Sequence, residues 1–204
     1  MILLGALLAC EPEIRTEYIT EYVTETVVET ETIVETETVV ETETVVETEE
    51  ICGTIEGKQP CDFIVIDREG NEVNFLSLIG KPMILDLSAM WCYPCKQAAT
   101  HIQVTQDTYP ELNYVTILIE NAQGTDLTAE DIKEWEATYG ITTAPVWGGS
   151  RDVITDDPTD SDEFYLRSWP TFYFLDEELR IVGYQRGYDQ TIVENWAEDL
   201  INEE

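Results

Sequence analysis

Basic residues are scarce in this 204-residue sequence, in which 10 Lys and Arg residues face 43 Asp and Glu residues and the formal net charge is -33. Residues 51–204 still carry 29 of the acids and nine of the bases, so the excess is not confined to one tail. A surface this negative repels phosphate backbones and anionic lipid headgroups. We therefore expect no nucleic-acid partner.

Histidine and cysteine are also scarce, with one histidine and five cysteines in the chain. A structural zinc site needs four ligands, commonly as two close pairs. Beyond the close pair Cys92 and Cys95, the next two cysteines are nine residues apart and the histidine is His101. The sequence thus predicts no metal site.

The stretch from 144 to 169 shows no clear period and contains the acidic run "DDPTDSDE" at 156–163. Alternating carboxylates can bind calcium, but the glycine and the terminal glutamate of an EF-hand loop are missing at the required spacing. We interpret the run as a solvated loop.

No apolar run approaches the roughly 20 residues that a membrane-spanning helix needs. The N-terminal run ends in "LLAC" at Cys10, which resembles the lipobox of bacterial lipoprotein signal peptides. Residues 1–9 would then be a signal segment and Cys10 a lipidated N-terminus, although no basic residue precedes the run as in an ordinary signal peptide. The alternative is an apolar N-terminus that ends in cysteine by coincidence.

Residues 10–50 form a low-complexity segment rich in Glu, Thr and Val, in which "ETETVV" recurs every six residues. That period matches no helical stripe, and a row of Glu penalises lateral strand pairing. We predict an extended or disordered stalk. A self-pairing β element or a contact surface for envelope partners is the alternative.

The remaining residues, 51–204, have the pattern of one α/β domain. A strand, a turn at 68–71 and a second strand are predicted in "DFIVIDREGNEVNF", and "KPMILDLSAM" is a continuous apolar strand typical of a buried, mostly parallel sheet. A helix should follow from about Cys92 or Tyr93 to Thr108.

The second half of this domain continues with a strand in "LNYVTILI" and a helix opened by Thr128 and Asp131. A hairpin around 176–179 and a final helix capped by Thr191 complete the order. Such an alternation predicts a central sheet with helices on both faces.

The spacing of Cys92 and Cys95 is typical of a redox pair. A cysteine where a strand gives way to a helix meets unpaired amides that stabilise thiolate over thiol, and Lys96 adds a cation. Two intervening residues allow Cys95 to reach back and attack a mixed disulfide on Cys92.

The stretch "LSLIGKPMILDLSAMWCYPCKQ", together with "YGITTAPV" and "SWPTFYFLD", resembles the thioredoxin superfamily, and more closely its membrane-tethered extracytoplasmic TlpA-like and ResA-like branch. The resemblance runs from Cys61 to about Leu200 and implies a thioredoxin-like fold, a central mixed sheet flanked by helices. It implies that Cys92 attacks and Cys95 resolves. It also implies no cofactor.

Further residues of the site follow from the same resemblance. Asp86 aligns with a buried acid that serves as proton acceptor, whereas the alternative is a solvated strand end. Pro170 falls at the family's cis-proline and would present the backbone of Trp169 to a substrate. Substrate contacts are also expected from the residues around the motif, which are Trp91, Tyr93 and Pro94. Trp91 could instead be ordinary core.

Two cysteines remain after these assignments. Cys52 and Cys61 close a small loop, and an oxidising compartment would let them pair as a structural disulfide. An auxiliary redox pair is the alternative. His101 lies on the predicted helix well past the motif, and we expect a structural role for it.

These observations favour a thiol-disulfide oxidoreductase that is lipid-anchored in the cell envelope and faces the periplasm. Its expected partners are extracytoplasmic proteins with thiols or disulfides and an electron-donor protein. The Tyr-Pro pair inside the motif lacks the histidine of strong oxidants, which favours a reductant. A peroxiredoxin-like peroxidase is one alternative, although residues 88–91 offer no Thr before the cysteine. A non-catalytic surface lipoprotein whose stalk binds partners is the other.

Overall fold

The computed structural model describes residues 52–157, 159 and 162–202. The expected signal segment, Cys10 and the stalk lie outside these residues. Within the described part of the chain, every helix is too short or too polar to cross a bilayer.

Seven strands form one mixed sheet, namely β1 (Ile64–Ile66), β2 (Glu72–Asn74), β3 (Met83–Ala89), β4 (Asn113–Glu120), β5 (Val146–Gly148), β8 (Thr171–Leu175) and β9 (Ile181–Arg186). Their order across the sheet is β2-β1-β5-β4-β3-β8-β9. Strand β3 runs parallel to β4 and antiparallel to β8. The predicted fold class is therefore confirmed.

Four α-helices accompany the sheet, namely α1 (Tyr93–Ala99), α2 (Ile102–Thr108), α3 (Ala129–Tyr139) and α4 (Gln190–Asn202). All four contribute to one core, on the face of the sheet that carries Ile84, Tyr114 and Phe172. We call it the first core. The crossovers from β3 to β4 and from β4 to β5 step in the same direction across the sheet, so right-handed connections place their helices on the same face.

The opposite face carries a second core without α-helices among the described residues. Met83, Leu85 and Leu87 of β3 point into it, because side chains alternate along a strand. It is covered by the 3₁₀ turns at Phe75–Leu78 and Arg151–Val153 and by neighbouring irregular chain. The prediction of helices on both faces of the sheet is therefore wrong for α-helices, because the described chain has them on one face only and has 3₁₀ turns on the other.

The predicted helix from Cys92 to Thr108 is interrupted between α1 and α2. The amide of His101 bonds the carbonyl of Ala98 at 2.9 Å, a three-residue step in place of the helical four. The hydroxyl of Thr100 donates to the carbonyl of Gln97 at 2.7 Å. This local side-chain bond competes with the regular helical ladder and ends α1.

Other local predictions have mixed outcomes. The capping box of Thr128 and Asp131 starts α3 as predicted. The final helix is capped two residues earlier than predicted, because the carboxylate of Asp189, rather than Thr191, accepts hydrogen bonds from the amides of residues 191 and 192. The stretch from 144 to 169 contains β5 and a small parallel pair, β6 (Ile154–Thr155) and β7 (Phe164–Tyr165), which no period indicated.

Candidate redox site

The two cysteines of the motif lie where β3 ends and α1 begins. Cys92 is the N-cap residue of α1, three residues after the end of β3 at Ala89, and a disulfide joins it to Cys95 with a Cα–Cα distance of 5.3 Å. The amide of Cys95 also donates to the sulfur of Cys92 at 3.1 Å. An amide aimed at this sulfur favours the thiolate once the disulfide is reduced.

The two sulfur-bearing residues differ little in burial in this oxidised state. Cys95 is fully buried and Cys92 is 3% exposed, and both belong to the first core. A partner can therefore approach Cys92 only at a small opening, and the residues around that opening control access.

Asp86 is fully buried in the middle of β3, not at a solvated strand end. Ser88 donates a hydrogen bond to Oδ1 at 2.6 Å and Thr116 donates to Oδ2 at 3.4 Å. Burial raises the pKa of Asp86 to about 7, and the two hydroxyl groups oppose that rise. A carboxyl group with this pKa can exchange a proton near neutral pH.

The environment of Asp86 belongs to the face of the sheet that holds the motif. Asp86 lies two residues after Ile84 on β3, so both side chains point to the same face of the sheet. Ile84 and Cys95 both belong to the first core on that face. Two tyrosines of this layer respond to its charge. The pKa of Tyr114 is raised mainly by burial and further by Asp86, and the pKa of Tyr188 is raised to about 12 by burial, with smaller contributions from Glu194 and Asp86.

Aromatic side chains surround the motif. The indole rings of Trp91 and Trp169 meet edge to face with centroids 5.7 Å apart. Trp91 is 43% exposed, which excludes an ordinary core position, and Tyr93 is 71% exposed. Pro94 is exposed in the first turn of α1, and the peptide bond between Trp169 and Pro170 is cis. The structure thus brings all five expected substrate-contact residues to the carboxyl end of β3 or the start of β8.

Two further residues at this end of the sheet were missed by the sequence analysis. Glu120 ends β4 next to Ala89, and its carboxylate accepts a hydrogen bond from the indole Nε1 of Trp91 at 2.7 Å. Nε and Nη2 of Arg151 donate to the other carboxylate oxygen, the former at 2.6 Å. A signal for Glu120 was present, because the carboxyl ends of neighbouring parallel strands meet at one edge of a sheet.

Cys52 and Cys61 are joined by a disulfide, away from the motif. Their loop pairs with Ile181 at the start of β9, through Gly57 and Lys58. Ile181 aligns with Leu175, which aligns with Met83 at the other end of β3 from the motif.

His101 lies in the break between α1 and α2, with its ring against Tyr188 at 6.1 Å. It also lines an open groove of about 520 Å³ beside Tyr93 and Lys96. The sequence analysis expected a structural role for His101 and did not predict this position in a groove next to the motif. Among the described residues no cluster of His, Cys, Asp or Glu could hold a metal ion.

No protein-family model matches the chain. Among curated proteins it is similar to the thiol-disulfide oxidoreductase ResA of Halalkalibacterium halodurans, with 27% identity over 143 residues that cover 70% of this chain and 75% of the relative. It is also similar to the thioredoxin-like protein YneN of Bacillus subtilis, with 24% identity over 126 residues that cover 62% of this chain and 68% of the relative.

Solved structures share the fold. The thioredoxin domain of a thiol-disulfide oxidoreductase from Bacteroides vulgatus has a TM-score of 0.56 and 17% identity, covering 72% of this chain and 99% of that one. A thiol:disulfide interchange protein from Chlorobium tepidum has a TM-score of 0.55 and 18% identity, covering 71% and 96%. At these identities the likeness concerns the fold.

Proposed function

We propose that the chain, which is similar to ResA-like thiol-disulfide oxidoreductases, exchanges disulfides through Cys92 and Cys95, with Asp86 as proton acceptor. The observation that carries this proposal is the cysteine pair at the start of α1, on the same face of the sheet as a buried carboxyl group with a pKa of about 7. Its substrates are proteins that carry thiols or disulfides.

The reaction proceeds in two exchanges. The thiolate of Cys92 attacks a substrate disulfide, a mixed disulfide forms and one substrate sulfur leaves as a thiolate. Cys95 then loses its proton to Asp86 and attacks the sulfur of Cys92, which releases the second substrate sulfur. The substrate gains two electrons and the protein regains the Cys92–Cys95 disulfide. A donor protein must reduce that disulfide before the next cycle.

The direction of electron flow is proposed to be reduction of the substrate. Tyr93 and Pro94 stand between the cysteines, and neither can donate to the Cys92 thiolate as a charged imidazole would. The reduction potential of the pair tests this directly. A value near about -270 mV fits a reductant, whereas a value near about -120 mV fits an oxidant and would reverse the assignment.

We also propose that the protein works outside the cytoplasm on a lipid anchor at Cys10. The Cys52–Cys61 disulfide supports the compartment, because structural disulfides persist where the surroundings are oxidising. The anchor itself rests on the sequence around Cys10.

Substrate trapping tests the division of labour between the cysteines. We expect Cys95→Ser protein to accumulate mixed disulfides with insulin, because the first exchange proceeds and the second cannot. Cys92→Ser protein should accumulate few or none. Asp86→Asn should leave the first exchange nearly intact and slow the second by about 10² to 10⁴, the usual range for loss of a general base. Non-reducing gels and stopped-flow kinetics measure these steps.

The Cys52→Ser/Cys61→Ser double variant is the matched control, since it also removes a disulfide but leaves the motif intact. Better trapping by Cys92→Ser than by Cys95→Ser would reverse the roles and remove the proposed role of Asp86. Wild-type protein that fails to turn over insulin under reductant would favour a non-catalytic surface protein instead.

A further inference from the structure

Trp91, Glu120 and Arg151 form a connected network at the rim of the motif. We propose that Glu120 is a positioning residue for disulfide exchange, which fixes the indole of Trp91 beside Cys92 and thereby determines how protein substrates bind. The proposal rests on the function proposed above and extends it to a residue that does not touch the reacting sulfurs.

The carboxylate of Glu120 is well placed to hold an indole ring. The residue is 6% exposed, and its backbone carbonyl accepts the amide of Met90 at 2.9 Å, which ties the end of β4 to the chain just before Trp91. One carboxylate oxygen accepts from the indole and the other from Arg151. Hydrogen bonds to an ionised acceptor are stronger than neutral ones, and a buried carboxylate requires such partners.

Burial alone does not fix the orientation of Trp91. The side chain is 43% exposed, so burial covers only one side of the ring. The bond to Glu120 selects one orientation, in which the ring meets Trp169 just before the cis peptide bond. Cys92, the next residue along, is 3% exposed, so a substrate chain that reaches its sulfur must contact this aromatic rim.

Arg151 connects the rim to the irregular face of the molecule. It opens the 3₁₀ turn that places Val153 in the second core, where no α-helix of the described chain lies. Its guanidinium group neutralises Glu120 while most of the side chain stays exposed. The conformation of this turn therefore affects the site through one ion pair.

The test compares Glu120→Ala, Glu120→Gln and Arg151→Ala with wild type, using insulin as a protein substrate and hydroxyethyl disulfide as a small one. We expect Glu120→Ala to raise KM for insulin on the order of tenfold, the value of one or two charge-assisted hydrogen bonds. The kcat for insulin and the rates with hydroxyethyl disulfide should change less than about threefold. Glu120→Gln keeps an acceptor for the indole and should rescue most of the loss.

A spectroscopic signal reports the contact itself. The chain has five tryptophans, so indole N–H resonances are few, and a Trp91→Phe variant identifies the one from Trp91. That resonance should move in Glu120→Ala and remain in Glu136→Gln. Glu136→Gln is the matched control, because Glu136 on α3 is also a mostly buried glutamate and also forms an ion pair with an arginine, Arg68.

Three outcomes would overturn the proposal. If active Glu120→Ala protein matches wild type in KM and in the indole resonance, the positioning role fails while the proposed function stands. If wild type reduces neither substrate, both fail. If Glu120→Ala does not fold, Arg151→Ala carries the test, because it removes the guanidinium group that holds the Glu120 carboxylate. A wild-type KM for insulin together with a wild-type position of the Trp91 resonance in Arg151→Ala then overturns the role.

Discussion

The carboxyl group of Asp86 lies where its charged form is disfavoured, inside a strand with every residue buried. A buried carboxylate without a charged partner lowers the free energy of unfolding whenever it is ionised. The hydroxyls of Ser88 and Thr116 offset only part of the desolvation. An apolar residue would suit the strand better, and the proposed proton transfer from Cys95 gives a functional reason for the acid.

Replacement of Asp86 by asparagine should therefore stabilise the oxidised protein more as the pH rises. The folded-state pKa, about 7, lies above the ordinary aspartate pKa of 3.8. The stabilisation by the bound proton is thus complete below about pH 4 and is lost as the pH rises through 7. We expect the free energy of unfolding of Asp86→Asn minus that of wild type to grow by about 2 to 3 kcal/mol between pH 5 and pH 8.

Urea unfolding at the two pH values measures this difference. A difference that stays constant would mean that Asp86 binds protons equally in the folded and unfolded chains, and the burial argument for its role would be lost.

Elements with strong local signals were predictable from the sequence, and those with weak signals were not. β3 and β4 are long apolar runs, and α3 begins with a capping box whose two residues, Thr128 and Asp131, stand at a fixed spacing in the sequence. The strands β5, β6 and β7 have two or three residues each, too few to show a period, and depend on neighbours far along the chain. The interruption after α1 depends on the rotamer of Thr100, which a residue pattern does not contain.

The packing of α4 on the sheet supplies a prediction at this scale. Gly183 in β9 lies under Trp196 of α4, and a Cβ at this position would lie 2.6 Å from two ring atoms. The backbone of Gly183 does not need a glycine for its conformation, so the conflict is steric. We expect Gly183→Ala to lower the free energy of unfolding by about 1 to 3 kcal/mol, the usual effect of overpacking.

A second substitution distinguishes this conflict from other causes. Trp196 stacks on Phe174 with centroids 4.5 Å apart, so Trp196→Leu alone should destabilise the protein. In the Gly183→Ala/Trp196→Leu double variant, the smaller leucine leaves room for the new methyl group. The double variant should therefore lose less free energy of unfolding than the sum of the losses in the two single variants. Strict additivity in urea unfolding would contradict the clash.

At the scale of the whole molecule, the fold class was predictable from the sequence, whereas the contacts that complete the rim of the site join residues far apart in the chain. Glu120 and Arg151 are 31 positions apart in the chain. They meet because the parallel strands β4 and β5 end at the same edge of the sheet and Arg151 follows the end of β5. The distribution of helices over one face likewise depends on strand order, which the sequence does not display.

The proposed lipid anchor at Cys10 is tested in the full chain. We expect wild-type protein in the membrane fraction and Cys10→Ser protein in the soluble envelope fraction, because one acylated cysteine is the proposed anchor. Fractionation and mass spectrometry of the N-terminus measure this. Membrane-bound Cys10→Ser protein, or a mature chain that keeps residues 1–9, would contradict the anchor.

The disulfide between Cys52 and Cys61 has a mechanical consequence for a protein held by its N-terminal end. Tension that enters the folded domain at Cys52 passes through the sulfur–sulfur bond directly to Cys61 and bypasses residues 53–60. The hydrogen bonds of Gly57 and Lys58 to Ile181 therefore carry no load. Force arrives instead at β1, near one edge of the sheet and four strand positions from β8, which follows the cis-proline. In a chain anchored as proposed, load therefore enters the sheet away from the redox site.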